Sequence, residues 1–163
     1  MMTVRRALTE ELPALSLLAQ RSFMAAVAPL YSELGVRTFL EFASTEAMLK
    51  RVAQGAVTYG AYDARGGVGM AQVRGGSHVC MLFVAPEAQR QGVGRRLLAA
   101  LLPECTAEVI TVNASPNAEG AYLRFGFRRT AEEQTVDGIR FIPMARPREP
   151  VVLDPPFRGE TTN

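Results

Sequence analysis

Residues 87–102, EAQRQGVGRRLLAALL, place Gly92 and Gly94 among two glutamines and three arginines, directly ahead of an apolar helical run. The apolar stretch SHVCMLFV, residues 77–84, stands just before them. A helix that opens there leaves its first N–H groups without intrahelical acceptors, and the positive end of the helix dipole reinforces them. Phosphates bind at such ends, and glycines let their oxygens reach the amides without a side chain in between. Arg90, Arg95 and Arg96 can add charge-assisted hydrogen bonds. The same glycines would also serve a tight strand-to-helix turn with the arginines as a solvated face, so this segment alone allows both readings.

Two common phosphate loops do not fit. A Walker loop needs Lys-Ser or Lys-Thr after its glycines, and the one lysine, Lys50, lies far upstream. A dinucleotide fingerprint reads GxGxxG, whereas this run reads QxxGxG, and Ala114 stands about twenty residues on, where an acid would bind a ribose.

Further side chains could do proton chemistry. Tyr122 lies in SPNAEGAYLRFGF, residues 115–127, where Ser115 caps and Pro116 opens a short helix that Gly126 ends. A tyrosine there can pack half-buried or can protonate a leaving group. His78, the only histidine, shares a strand face by period two with Cys80, Leu82 and Val84. Glu108 is the carboxylate of the next strand, TAEVITVN. Cys80 and Cys105 sit in apolar stretches without CxxC pairing, which predicts reduced, buried thiols rather than a disulfide or zinc site.

Periodicity supplies the framework that holds these groups. TVRRA, residues 3–7, reads as a first strand, and Thr9 as the cap of a helix striped by Leu12, Leu15, Leu18 and Ala19. Pro29 and Gly35 interrupt the next segment, Phe39 to Phe42 suggest a second helical piece, and Ser44 or Thr45 caps TEAMLKRVAQ. AVTYGAY and GVGMAQVR form a hairpin around DARGG, and SHVCMLFV reads as a central strand covered on both faces. A helix over 92–102, the strand 106–113, the short helix, and a hairpin of FRRTAEE with GIRFIPMAR around VDG complete a mixed α/β (α+β) order.

At 163 residues, 48% hydrophobic and 21% charged, the chain suits one domain, placed at 1–146. Residues 147–163, PREPVVLDPPFRGETTN, read as a loosely ordered proline-rich tail. A net charge of +2 with scattered arginines argues against nucleic acid. No apolar run approaches the roughly 20 residues of a membrane span, and no signal-like N-terminal segment is present, so a soluble cytoplasmic protein is expected.

Taken together, VRRA, LFVAPEAQRQGVGRRLL and VNASPNAEGAYLRFGF resemble the GCN5-related N-acetyltransferase (GNAT) family over residues 3 to about 146, as a small bacterial member. Gln89, Gly92 and Gly94 match its (Gln/Arg)xxGx(Gly/Ala) loop, and Asn113 to Phe127 match its second cofactor segment. The resemblance implies a mixed, mostly antiparallel central sheet with a splayed parallel strand pair, flanked by helices. It implies acetyl coenzyme A as cosubstrate and no metal. The backbone of Leu82, Phe83 and Val84 would pair with the pantetheine arm. The amides of Arg90, Gln91, Gly92, Val93, Gly94 and Arg95 would hold the pyrophosphate. Ser115 and Asn117 would touch the cofactor's far side, Tyr122 would act as general acid at the sulfur, and a backbone N–H near Val84 would meet the oxyanion. Acetyl would pass directly to an amine within a ternary complex.

The general base stays open. Many members use a strand glutamate, but SHVCMLFV holds no carboxylate. Glu108 is two residues off the placing in protein N-terminal acetyltransferases. His78 matches a histidine of serotonin-acetylating members, yet at about 3.3 Å per residue it lies roughly 20 Å along the strand from Val84, within reach only of a water chain. The acceptor would be shaped by segments around 23–42 and 130–141. In and just after the first are Tyr31, Glu33, Arg37, Glu41 and Glu46, with no acidic run and no basic cluster, so a small-molecule amine or peptide N-terminus is expected. A non-catalytic acyl-coenzyme A-binding module is the alternative, and dimerisation through the last strands is a family habit.

Overall fold

In the computed structural model, which describes residues 1–149, the apolar alternation of residues 57–84 is spent on an antiparallel meander. Strands β1 (Thr3–Arg6), β2 (Val57–Asp63), β3 (Gly66–Arg74) and β4 (His78–Val84) lie side by side in that order. The turns have the expected chemistry. Asp63 Oδ1 accepts the Arg65 N–H at 2.7 Å, and Gly75 and Gly76 supply two successive positive φ values. β4 then runs parallel to β5 (Val109–Ala114), which pairs antiparallel with β8 (Ile139–Pro147). β6 (Arg128–Arg129) and β7 (Gln134–Val136) both pair with β8. The sheet is therefore mixed and mostly antiparallel, with one parallel pair, as the resemblance implied.

That parallel pair is short. Only His78 with Thr111 and Val79 with Val112 are in register, and beyond them β4 and β5 part. A bulge lies at the parting point: Val73 of β3 faces Val79 and Gln72 faces Met81, so Cys80 has no opposite residue. Such an extra residue bends its strand and increases its twist.

Helices cover both faces. α1 (Leu12–Ala26), α2 (Glu33–Phe42) and α3 (Thr45–Ala53) precede the meander, α4 (Val93–Leu101) follows β4, and α5 (Glu119–Arg124) follows β5. On either side of the bulged Val68, Gly67 lies under Leu15 and Leu18 of α1, and Gly69 under Val93 and Leu97 of α4. Between these layers Phe23, Met48, Met70, Met81, Leu97, Ile110 and Phe127 are fully buried.

Several local expectations are corrected. Thr9 is not a cap: residues 9–11 form a 3-10 turn, and the Glu11 carboxylate accepts the Leu8 N–H while bonding Arg5 and Tyr62. Gly35 does not interrupt α2 but lies in its first turn, its N–H accepted by the Ser32 hydroxyl at 3.1 Å. β5 starts at Val109 rather than 106, because the Thr106 and Ala107 N–H groups bond Gly76 O in the β3–β4 turn. Ser115 makes no side-chain cap, and a 3-10 turn over 116–118 precedes α5. Pro147 belongs to β8, Arg148 donates its N–H to Glu108 O, and the tail expected from there on lies outside the described residues from 150.

Candidate active site

The parting of β4 and β5 opens a cavity of about 250 Å³. One wall is β4 from His78 to Phe83, and a second is Val112, Asn113 and Ser115 with Tyr122. The third comes from α1 and α2, where Phe23 stacks on Phe39 at 4.0 Å and Phe39 meets Phe83 edge-on at 5.3 Å. The aromatic wall reflects local chemistry, because the Phe23-to-Phe42 segment must present an apolar face to a sheet that β4 no longer shares with β5. Tyr31 belongs to it and donates its hydroxyl to Arg140 O at 2.8 Å, with burial pushing its phenol up to about 12.

At the C-terminal end of β4, the Val84 carbonyl accepts from the Ser22 hydroxyl at 3.0 Å and from the Gln89 amide at 3.3 Å. Gln89 thereby ties the loop to the strand. Arg90 and Gly92 then take left-handed φ values of 66° and 78°, which turn the chain into α4. The first helical acceptor, Gly92 O, receives the Arg96 N–H, so the amides of Val93, Gly94 and Arg95 point out of the helix end. A Cβ at Gly94 would meet Phe125 and Val84 only at ordinary contact, 3.5 and 3.8 Å. The protein's own packing therefore does not require glycine there. Together with the unshared β4 edge, this cradle fits a diphosphate joined to an extended arm.

Tyr122 is fixed between Phe125 and Phe127, both edge-on at 6.0 and 5.3 Å, and lines the cavity. Burial alone raises its phenol well above the usual range, with neither a hydrogen bond nor a charge contributing. Its hydroxyl is held protonated and uncommitted. Ser115 also lines the cavity, while Asn117 is exposed outside the lining.

The two base candidates separate. His78 lies in the cavity wall with Nδ1 2.7 Å from Thr111 Oγ1, and burial, then the charge of Arg74, lowers its pKa from 6.5. Glu108 is exposed before the start of β5 and outside the cavity lining, and the two residues ahead of it bond Gly76 O in the β3–β4 turn. Glu33, Arg37, Glu41 and Glu46 likewise point to the surface side and do not line it.

Sequence reasoning missed a polar network beneath the cavity. Arg51 of α3 donates Nε to Gln72 Oε1 at 2.6 Å and Nη2 to Phe42 O at 2.9 Å, and its guanidinium lies 3.9 Å from the Phe42 ring centre. Gln72, fully buried on β3, donates to Thr58 Oγ1 at 3.0 Å. The available signal was Gln72 itself, a lone amide in the apolar run VGMAQV, since a buried amide requires partners. The Cys80 thiol rests 3.5 Å from Gln72 O, and burial pushes its pKa up, which suits an inert side chain. Among the described residues no group of three His, Cys, Asp or Glu side chains could hold a metal ion, and no helix is long and apolar enough to cross a membrane.

Comparison with known proteins agrees with this architecture. No curated protein matches the chain in sequence. A GCN5-related N-acetyltransferase from Rhodopseudomonas palustris is 24% identical with a TM-score of 0.77, over 89% of this chain and 94% of that one. The PaiA N-acetyltransferase of Thermoplasma acidophilum, solved in complex with coenzyme A, is 19% identical with a TM-score of 0.71, over 90% and 99%. The ribosomal-protein-S18-alanine N-acetyltransferase of Escherichia coli is 22% identical with a TM-score of 0.63, over 94% and 98%. The family model described as the acetyltransferase (GNAT) domain matches residues 27–147, and by that match the chain belongs to the GNAT acetyltransferase family, whose cosubstrate is acetyl coenzyme A.

Proposed function

We propose that this protein moves an acetyl group from acetyl coenzyme A directly to the amine of a small molecule or a peptide N-terminus. The observation that carries the reading is the cavity itself. It lies where β4 and β5 part, with Tyr122 in its wall, and β4 runs on from it through Val84 to the loop that opens α4 at Gly92. The amides of Val93, Gly94 and Arg95 hold the pyrophosphate, with Arg90 and Gln91 beside them. The unshared edge of β4 over Leu82, Phe83 and Val84 aligns the pantetheine as an added strand. An N–H of that edge meets the oxyanion.

Tyr122 then faces the leaving thiolate. A phenol with a raised pKa is a weak acid for a free thiolate, but the same burial raises the thiolate's proton affinity, so the two groups remain matched inside the cavity. On the acceptor side, His78 takes the amine's proton through a chain of waters. It can do so when Thr111 Oγ1 accepts from Nδ1–H, which leaves the Nε2 lone pair facing the cavity.

The module reading, acyl-coenzyme A binding without turnover, is favoured by one observation: among the described residues no Asp or Glu lines the cavity. Calorimetric titration with acetyl coenzyme A, desulfo-coenzyme A and NADH, repeated on Gly92→Glu, tests the cofactor. Binding of both coenzyme A compounds that the substitution abolishes, with none of NADH, supports the site. Turnover of an amine, lost in Tyr122→Phe, then separates enzyme from module.

A further inference from the structure

The acceptor end of the cavity carries a charge pattern that the acetyl-transfer chemistry does not need. Arg74 and His78 face each other across β3 and β4, and both line the cavity. They also line an adjoining pocket with Arg51, Gln54, Gly75 and Ser77. Among the described residues no carboxylate lines either one. Six arginines, Arg5, Arg21, Arg65, Arg129, Arg140 and Arg148, have a carboxylate within 4 Å; Arg51 and Arg74 are among those that have none among the described residues, and they are the two that line the adjoining pocket.

Arg51 is the sharper case. Half-buried guanidinium groups are ordinarily balanced by a carboxylate, because desolvating a charge without a counter-charge is costly. Arg51 has instead Gln72 Oε1, Phe42 O and the Phe42 ring. These fix the side chain through Nε and Nη2 and leave Nη1 without a protein acceptor among the described residues. The one other cation acting on it, Arg74, opposes its charge, and Arg74 likewise opposes protonation of His78. A pre-set guanidinium with an exposed second cation beside it forms a fork for an oxyanion. Ser77 adds a hydroxyl.

We propose that Arg51 and Arg74, beside His78, form an anion-binding subsite where the cavity meets the adjoining pocket, so that the acceptor is an amine that also carries a carboxylate or a phosphate. The proposal rests on the acetyl-transfer reading. From His78 to Leu82 the strand covers about 13 Å at 3.3 Å per residue, so the amine and the anion are several bonds apart in the acceptor. The aromatic wall of Phe23, Phe39 and Phe42 covers the span between them.

Matched aromatic amines test it: 4-(2-aminoethyl)benzoate against its amide, and O-phosphotyramine against tyramine, with a titration of acetyl coenzyme A run first. The anionic member of at least one pair is expected to exceed its neutral partner at least about tenfold in kcat/KM, and the larger ratio identifies the anion. In Arg74→Gln that ratio falls to within about twofold, while affinity for acetyl coenzyme A holds. Thermal stabilisation of the coenzyme A-saturated protein by each probe gives the same ordering without turnover. Neutral probes that match the anionic ones in both readouts overturn the subsite, as does a preference that survives both Arg74→Gln and Arg51→Gln. Absence of acetyl coenzyme A binding would instead overturn the transfer reading beneath it, and the first titration tells the two failures apart.

Discussion

The first turn of α2 and the tip of the β7–β8 hairpin meet backbone to backbone at Gly35 and Gly138. A Cβ on either glycine would collide with the main chain of the other. The hairpin turn has positive φ at both Asp137 and Gly138, a two-residue type I′ geometry, and the Asp137 carbonyl accepts the Thr38 hydroxyl at 2.9 Å. With Ile139, Thr38 and Tyr31 in the cavity lining, this contact closes the acceptor side. Gly35→Ala is therefore expected to push the hairpin off α2. Overpacking of this kind costs about 1–3 kcal/mol. The KM for the amine should rise while the dissociation constant of acetyl coenzyme A stays within about twofold, since the cradle at α4 is remote from the contact. Chemical denaturation and separate cofactor and acceptor titrations check both halves, and equal weakening of the two ligands would count against the contact as an acceptor-side closure.

Tyr122→Phe separates chemistry from packing. The ring is held by Phe125 and Phe127, which the substitution leaves in place, and the hydroxyl has no protein hydrogen bond to lose. Removing an uncommitted buried hydroxyl is close to neutral for stability. If the hydroxyl serves the leaving thiolate, kcat should fall about a hundredfold or more, with melting temperature and acetyl coenzyme A affinity retained. A variant that keeps its kcat would leave Tyr122 as a packing residue.

Gly94 lets stability and binding be moved in opposite directions. Its φ is not left-handed, a Cβ there finds ordinary contacts, and the position lies in the first turn of α4. Gly94→Asp replaces a poor helix former and sets a negative charge at the positive end of the dipole, together about 1 kcal/mol of stabilisation. The same carboxylate would occupy the place of the pyrophosphate and repel it. Acetyl coenzyme A affinity should fall about a hundredfold, equivalent to roughly 2.8 kcal/mol, while the melting temperature rises by a few degrees. A parallel Gly92→Ala variant, strained at φ 78°, should lose stability instead.

His78 gives a pH signature. Its folded pKa lies below the ordinary 6.5, through burial first and Arg74 second, with Thr111 Oγ1 at Nδ1. The unfolded chain then binds more protons than the folded one between the folded pKa and 6.5, so stability rises with pH across that window. The contribution is fully present above 6.5 and is lost as pH falls through the folded value. His78→Gln should remove this step from a plot of unfolding free energy against pH. If His78 is also the base, the acidic limb of kcat/KM for a neutral acceptor should disappear with it. Persistence of the limb in His78→Gln would assign the base elsewhere.

Elements and site were not equally legible in the sequence. The glycine loop was readable because it is local: Gly92 turns through its own left-handed φ, Gln89 reaches back only five residues to Val84 O, and Tyr122 and Ser115 stand on one short segment. The acceptor side was not: His78 stood out as the only histidine, but Arg51 and Arg74 come from α3 and β3, and each looks like an ordinary surface or strand-end residue until the meander brings them beside it. Gly35 misled for a related reason. Its need for a missing Cβ comes from Gly138, about a hundred residues on, and local propensity carries no trace of that contact. The bulge at Cys80, which helps open the cavity, is likewise a property of the β3–β4 register rather than of Cys80.

Gln72 is where the acceptor side depends on the core. Its amide is fully buried, with Nε2 committed to Thr58 Oγ1 and Oε1 to Arg51 Nε. Gln72→Met keeps the shape but leaves the buried Thr58 hydroxyl and the Arg51 Nε–H without their partner, each worth about 1–3 kcal/mol when unsatisfied. The single variant is therefore expected to lose about 2–4 kcal/mol in chemical denaturation. Adding Thr58→Val removes one orphaned group, so the double variant should recover part of that loss rather than sum two losses, a coupling that a double-mutant cycle reads directly. Strictly additive losses would mean that the amide and the hydroxyl do not depend on each other. Because Arg51 loses its Nε anchor in both variants, the acid-over-amide ratio of the aminoethylbenzoate pair should drop in both and stay low when Thr58→Val restores stability, which separates positioning of Arg51 from the general loss of core packing.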